Sequence, residues 1–240
     1  MQLYFIRHGQ SENNFLWDTT GGSDGRVEDP ELTGVGKLQA RYLAEFLQGK
    51  AQSDNTNSKN TVMGKNIHLT HLYSSMMVRA VNTGMIVSNQ LELPLIAWKD
   101  LHETGGVYLD DIETCLPVGR SGLNRDAFQK RFPAFELPGW LGGDGWWNRP
   151  FEDEVERSVR AQRFISDLLH RHGNSDDHVA VFSHAGFYNE FIRALWHIPP
   201  EIEGWFHLNN TGVTRIDFLN NHVNVVYMNR TEFLPSNMIT

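Results

Sequence analysis

Leu3-Tyr4-Phe5-Ile6-Arg7-His8-Gly9 opens the chain with an apolar run that ends on two basic residues and a glycine. A short apolar run closed by such a turn signal reads as a buried strand and the bend that leaves it. The arrangement returns much later as Val179-Ala180-Val181-Phe182-Ser183-His184-Ala185-Gly186, the cleanest buried strand in the sequence. Strands apolar on both faces belong to sheets covered by helices on both sides.

Outward from these two strands, the pattern alternates. Residues 15–31 hold three Gly, a Pro and several acids, and read as a loop. A helix is expected from Thr33, its cap, to Leu47, with Val35, Leu38, Leu43, Phe46 and Leu47 as its apolar face. Residues 50–66 are polar and read as a mobile loop. A strand over 68–74 is followed by a helix to about Leu91, then a short strand from Leu95 to Trp98. Residues 104–150 lack a clean period. Phe151 to His172 reads as a helix with Val155, Val159, Ile165, Leu168 and Leu169 apolar, stopped by Gly173. A further helix from about Gly186 to Trp196 ends before Pro199-Pro200. Val213 to Phe218 and Val223 to Met228 flank a turn at Asn220-Asn221. The fold class that follows is α/β, a three-layer α/β/α sandwich with a mostly parallel central sheet. Ligands of such sheets bind at the carboxyl ends of the strands. His8 and His184 therefore share one edge if their strands are parallel neighbours.

Composition narrows the function. The chain has 240 residues, 21 basic against 29 acidic, and a net charge of -8. This excludes a general binder of nucleic acid or anionic membrane, and any anionic ligand must be held by a local cluster of Arg. No apolar run reaches the ~20 residues that span a bilayer. The start carries no leader pattern, and Cys115 is the single cysteine. A cytoplasmic, reducing compartment is the expectation, with Cys115 a small buried or half-buried apolar residue.

The chemistry lies in short motifs. Arg7-His8-Gly9-Gln10-Ser11, with Asn14 beyond, places an imidazole beside a forked guanidinium donor suited to phosphate. Then come Leu32-Thr33-Gly34-Val35-Gly36-Lys37-Leu38-Gln39-Ala40, the Ser75 to Thr83 segment with Arg79-Ala80, Leu101-His102-Glu103, and Ser183-His184-Ala185-Gly186. In this order they resemble the signature of the histidine phosphatase superfamily, whose fold is phosphoglycerate-mutase-like. The resemblance covers nearly the whole chain apart from 50–66 and most of 105–150. It implies one domain over residues 1–240, with 105–150 as a cap-like insertion that covers the site together with the 15–31 loop.

It also implies roles. His8 is the nucleophile that takes the phosphoryl group. Arg7, Asn14, Arg79, His184 and the backbone near Ala185 and Gly186 bind its oxygens. Glu103 is the general acid and His184 completes the catalytic set. Positive neighbours favour a neutral His8, and a bound phosphate dianion would keep His184 a donor. No metal or other cofactor is implied, and the partner is a small phosphomonoester. Oligomeric state is left open, a homodimer included. His68 with His71, and His170 with His172, suggest ligation only weakly, because neither pair has a Cys or carboxylate at ligand spacing. His102 reads as a support for Glu103 or a surface residue.

The expected activity is metal-independent hydrolysis of a small phosphorylated metabolite through a phosphohistidine. The alternatives are a mutase and a non-catalytic phospholigand-binding protein. A mutase segment after the acid and an adjacent Arg pair are lacking, and His8, His184 and Glu103 are all present. Tyr108, Phe128, Phe132, Phe135, Trp140, Trp146 and Trp147 suggest an aromatic surface for an apolar leaving group, and Trp140, Trp146 and Trp147 read equally well as packing residues of the insertion. Glu152 to Arg160 resembles a family helix start with Phe151 and Asp153 substituted, and its role is open.

Overall fold

A computed structural model of the chain describes residues 1–49, 67–220 and 222–240. The expected mobile loop at 50–66, and Asn221 of the expected turn, lie outside the described residues. In chain order the elements are β1 (Gln2–Arg7), α1 (Glu12–Thr20), α2 (Gly34–Leu47), β2 (His71–Ser74), α3 (Val78–Leu91), β3 (Leu95–Ala97), β4 (Tyr108–Asp110), β5 (Pro117–Gly119), α4 (Arg125–Arg131), β6 (Phe135–Glu136), α5 (Glu154–His172), β7 (His178–Ser183), α6 (Ala185–Leu195), β8 (Val213–Leu219) and β9 (His222–Arg230). No helix among them is long and apolar enough to cross a membrane.

Seven strands form one sheet in the order β6-β3-β2-β7-β1-β8-β9. The five from β6 to β1 run parallel, and β8 and β9 extend the sheet antiparallel. Alternation along β1 divides the core. Tyr4 and Ile6 pack into one cluster with Leu43 of α2 and Val81 of α3. Leu3 and Phe5 pack into another with Phe164 of α5 and Phe187 and Phe191 of α6. Two helical layers thus cover the sheet, as the apolar strands require. β1 and β7 are parallel neighbours with Arg7 opposite Ser183, so both histidines leave the same edge.

Several expectations are corrected. The start of the 15–31 segment, through Thr20, is helical: α1 is begun by a capping box between Ser11 and Asn14 and ended by Gly21 in the left-handed region. It escapes a search for periodicity because it buries no side chain. Val35 and Leu38 are exposed, and the buried face of α2 uses Gly36, Gln39 and Ala40 instead. α5 begins at Glu154, where Asp153 and Glu156 form a second capping box. Its buried face is Arg160, Ala161, Phe164, Leu168 and His172, while Val155, Val159 and Leu169 are exposed. Cys115 is exposed at the tip of the β4–β5 hairpin, where the Asp111 carboxylate accepts the N–H groups of Glu113 and Thr114.

The 105–150 segment does more than border the site. Phe128, Phe132, Phe135, Trp146 and Trp147 are buried in the core, and β6 pairs with β3. These rings are needed to cover the open edge of the sheet. Trp140 is exposed, and among the expected aromatic residues only Tyr108 lines the cavity described next.

Candidate active site

The loop after β1 is locked by backbone contacts that admit no side chain. A Cβ on Gly9 would lie 2.5 Å from the Gly36 carbonyl oxygen, and one on Gly36 would lie 2.1 Å from that of Gln10. Gln10 N–H donates to Gln39 Oε1 at 2.7 Å, and Thr33 N–H donates to the Gln10 carbonyl at 3.0 Å. The Thr33–Gly36–Gln39 spacing of α2 is therefore a cradle for residues 9 and 10. From the other side Asn210 Nδ2 donates to the His8 carbonyl at 3.0 Å. Asn210 and Gln39 both hold Thr240, so the last residues brace the same loop.

His8 is 2% exposed. Its Nδ1 lies 2.7 Å from the Gly9 carbonyl oxygen, which can only accept, so Nδ1 carries the proton and Nε2 keeps its lone pair. Arg79 Nε donates to that Nε2 at 3.1 Å. Burial, then Arg79 and Arg7, hold the His8 imidazole well below its ordinary range, so the ring is neutral. The His184 ring centroid is 5.1 Å away. His184 Nε2 is 2.9 Å from Ser75 Oγ, and its buried Nδ1 has no partner. Burial, then Arg79 and His8, depress His184 as well. Both rings are neutral on these grounds, and the donor state expected of His184 is one that a phosphate dianion would have to induce.

Arg7 donates through one terminal nitrogen to the Leu208 carbonyl at 2.7 Å, and its buried Nε is unpaired. Burial brings its guanidinium down to about 10, so it stays charged at neutral pH. Asn14 Oδ1 accepts from Ser11 and Asn210, which leaves the amide NH2 for a ligand. Glu103 sits across the start of α6, where no side chain of the N-cap residue His184 serves. Its Oε1 accepts from Phe187 N–H at 2.9 Å and Thr104 N–H at 2.8 Å, and its Oε2 from Gly186 N–H at 3.2 Å. The Gly186 N–H expected for phosphate is thus taken by Glu103.

Arg7, His8, Asn14, Arg79, Glu103, Ala185 and Gly186 converge on one cavity of about 410 Å³. His184 is not among the residues that line it, and its ring lies against that of His8.

Sequence reading missed the supports. Thr83 Oγ1 accepts the Gly9 N–H. The buried Arg160–Glu152 pair, with both contacts at 2.6 Å, resolves the open segment, since Arg160 also donates to the carbonyls of Asp100 and His102 just before Glu103. His102 is buried, with Nδ1 2.9 Å from the Glu103 carbonyl oxygen and its ring against Trp147. The capping-box spacing of Asp153 and Glu156 could have fixed this helix start; nothing local marks Asn210.

Asp29 is the least expected neighbour. Its Oδ1 accepts Val78 N–H at 2.9 Å, capping α3 in place of Met77, and lies 3.8 Å from an Arg79 terminal nitrogen. That separation exceeds hydrogen-bond length, and burial prevails over the charge, pushing the carboxyl up to about 7. Between about pH 4, where an unfolded Asp titrates, and about pH 7 the folded chain keeps a proton that the unfolded chain has released. This contribution to stability is complete below that window and is lost as pH rises through it. In Asp29→Asn the loss should vanish: the difference in melting temperature between the two chains, followed in steps across the window, should favour the variant progressively toward pH 7.

A second expectation concerns Gly186. A Cβ there would sit 2.3 Å from Glu103 Oε1 and 2.5 Å from Thr104 Oγ1. Gly186→Ala should displace the carboxylate and lower kcat/KM for an alkyl phosphate by about 10²-fold, with the melting temperature nearly kept.

A neutral imidazole between two guanidinium groups, at the carboxyl edge of a parallel sheet, sets a nucleophilic nitrogen among donors suited to an anion. The chain belongs to the histidine phosphatase superfamily, branch 1, whose family model matches residues 3–59 and 62–231. Solved structures with similar folds include a phosphoserine phosphatase from Entamoeba histolytica in complex with phosphoserine, at 23% identity and TM-score 0.59, covering 98% of this chain and 99% of that one. A mycobacterial glucosyl-3-phosphoglycerate phosphatase is 20% identical with TM-score 0.56, covering 95% and 98%. A protein of Bacillus stearothermophilus is 17% identical with TM-score 0.57, covering 99% and 98%. No curated protein matches the chain.

Proposed function

We propose that the chain hydrolyses small phosphomonoesters without a metal, through a phosphohistidine at His8. The observation that carries this is the fixed tautomer of His8: its Nδ1 proton is committed to the Gly9 carbonyl, and its Nε2 lone pair meets Arg79 at the cavity. On this reading Arg79 moves from Nε2 to the phosphate oxygens when substrate enters. Nε2 attacks phosphorus as the bond to the leaving oxygen breaks, and Glu103 passes a proton to that oxygen. Water then loses a proton to Glu103 and attacks the phosphohistidine, releasing inorganic phosphate and a neutral ring. Arg7, Arg79, Asn14, His184 and the Ala185 N–H meet the equatorial oxygens, and this supplies the electrostatic part of catalysis. The incoming dianion favours a proton on His184, against burial and the charge of Arg79.

The outer cavity indicates the kind of leaving group. Trp17 and Trp205 line it, and Arg26 lies 4.3 Å over the Tyr108 ring. A cation at that place suits a substrate that carries a carboxylate beside its phosphate. Phosphoserine, bound by the relative from Entamoeba histolytica, has this combination. The test is phosphate release in EDTA from a panel of phosphomonoesters with and without a carboxylate. Release from the carboxylated members with lower KM supports the reading. Isomerisation of phosphoglycerates without net release would instead make the chain a mutase, and binding without turnover a phospholigand-binding protein.

A further inference from the structure

At the opposite edge of the sheet, folding brings together three groups that the sequence holds apart. His71 starts β2, His172 ends α5, and Asp177 directly precedes β7. His172 Nδ1 is 2.8 Å from Asp177 Oδ2, and His71 Nδ1 is 3.9 Å from Asp177 Oδ1. One ligand atom from each of the three lies within 4.8 Å of the others. The two rings meet edge-on with centroids 4.7 Å apart. We propose that His71, His172 and Asp177 form a binding site for a divalent transition-metal ion of the zinc type, separate from the phosphate pocket.

The donor set is two imidazole nitrogens and a carboxylate oxygen, with room for water as a fourth ligand, because His71 and Asp177 are partly open to solvent. A neighbouring group prepares His172 for the task. Its Nε2 is 3.1 Å from the Tyr73 hydroxyl, which can accept as well as donate. Nδ1 donates to the Asp177 carboxylate, which can only accept; a bound ion would take that place, with the ring proton shifted to Nε2 and donated to the Tyr73 hydroxyl. A hydrogen-bonded outer nitrogen is the usual condition of a ligating histidine. His71 Nδ1 is held toward the site by Thr70 Oγ1 at 2.8 Å, a bond that a metal would replace. Such an ion would tie β2, the end of α5 and the lead into β7 together. It lies roughly 15–20 Å from His8, the length of the strands between them, so it would act on stability and leave the chemistry alone.

The experiment is calorimetric titration of the full chain with Zn²⁺, paired with melting curves. One site per chain and a higher melting temperature with Zn²⁺ are expected. His71→Ala and Asp177→Asn should each weaken that site by about tenfold or more and abolish the thermal shift. His170→Ala should not, and His71→Ala should turn over aryl phosphate at the parent rate. Zn²⁺ can also meet the imidazoles of the phosphate pocket, so the titration is repeated on His8→Ala, where the site must persist. Absence of the site from the parent chain, its loss in His8→Ala, or unchanged affinity in either His71→Ala or Asp177→Asn overturns the proposal.

Discussion

Replacing His8 with Ala should lower phosphate release by on the order of 10⁴-fold or more, the scale on which loss of a covalent nucleophile registers elsewhere. The size of the loss follows from the position of Nε2, whose lone pair meets Arg79 at the cavity. No other nucleophilic nitrogen in the cavity is both neutral and oriented by its own backbone, and the guanidinium groups cannot substitute for it. The remaining donors would still bind phosphate, so His8→Ala should retain affinity for inorganic phosphate while losing turnover. The parent chain, quenched in alkali during turnover, should carry phosphate on His8, and the variant none. Residual activity above about one per cent of the parent, with the fold intact by its melting curve, would place the nucleophile elsewhere.

Glu103→Gln gives the second large effect, and it should depend on the leaving group. The amide cannot donate a proton to an alkoxide, and its nitrogen must face either Gly186 N–H or the pair from Thr104 and Phe187, so at least one bond to the start of α6 is lost as well. For alkyl phosphates kcat/KM should fall by about 10²–10⁴-fold. Aryl oxides leave without protonation, so kcat/KM for an aryl phosphate should fall far less. Its kcat should still drop, because water attacking the phosphohistidine loses its base, and a burst of aryl alcohol equal to the enzyme should precede slow turnover. Equal losses in kcat/KM on both substrate types would remove Glu103 from the acid role.

Much of this was legible in the chain. The apolar runs ending at Arg7 and Ser183 reveal two buried strands, because a strand covered on both faces must be apolar throughout. Leu32-Thr33 and the glycine at position 36 announce α2, because a capping hydroxyl and a close backbone approach each demand one residue type. What stayed hidden has no local mark. α1 buries nothing, so its helix shows no period. Asp29 looks like any loop acid until α3 starts against it and Arg79 comes near. Asn210 carries no signal two hundred residues from the loop it supports. The histidines at the far edge mislead in the opposite way: proximity pairs His68 with His71 and His170 with His172, whereas the fold sets the end of α5 against the start of β2, so that His71 meets His172 with Asp177 beside both. The aromatic residues of 105–150 allow both a binding wall and plain packing, because burial and recognition draw on the same side chains, and only the position of β6 decides between them.

The mutual exclusion of side chains at Gly9 and Gly36 has a mechanical consequence. Two stretches of main chain there fit as tenon and mortise, and neither can withdraw alone. Opening the nucleophile's loop would mean unseating α2, then Gln39, then the anchorage of Thr240. The floor of the cavity is thus as stiff as the interior beneath it. Whatever yielding a substrate demands must come from the opposite bank, where α1 and residues 21–30 carry Trp17 and Arg26 on a segment with few buried side chains.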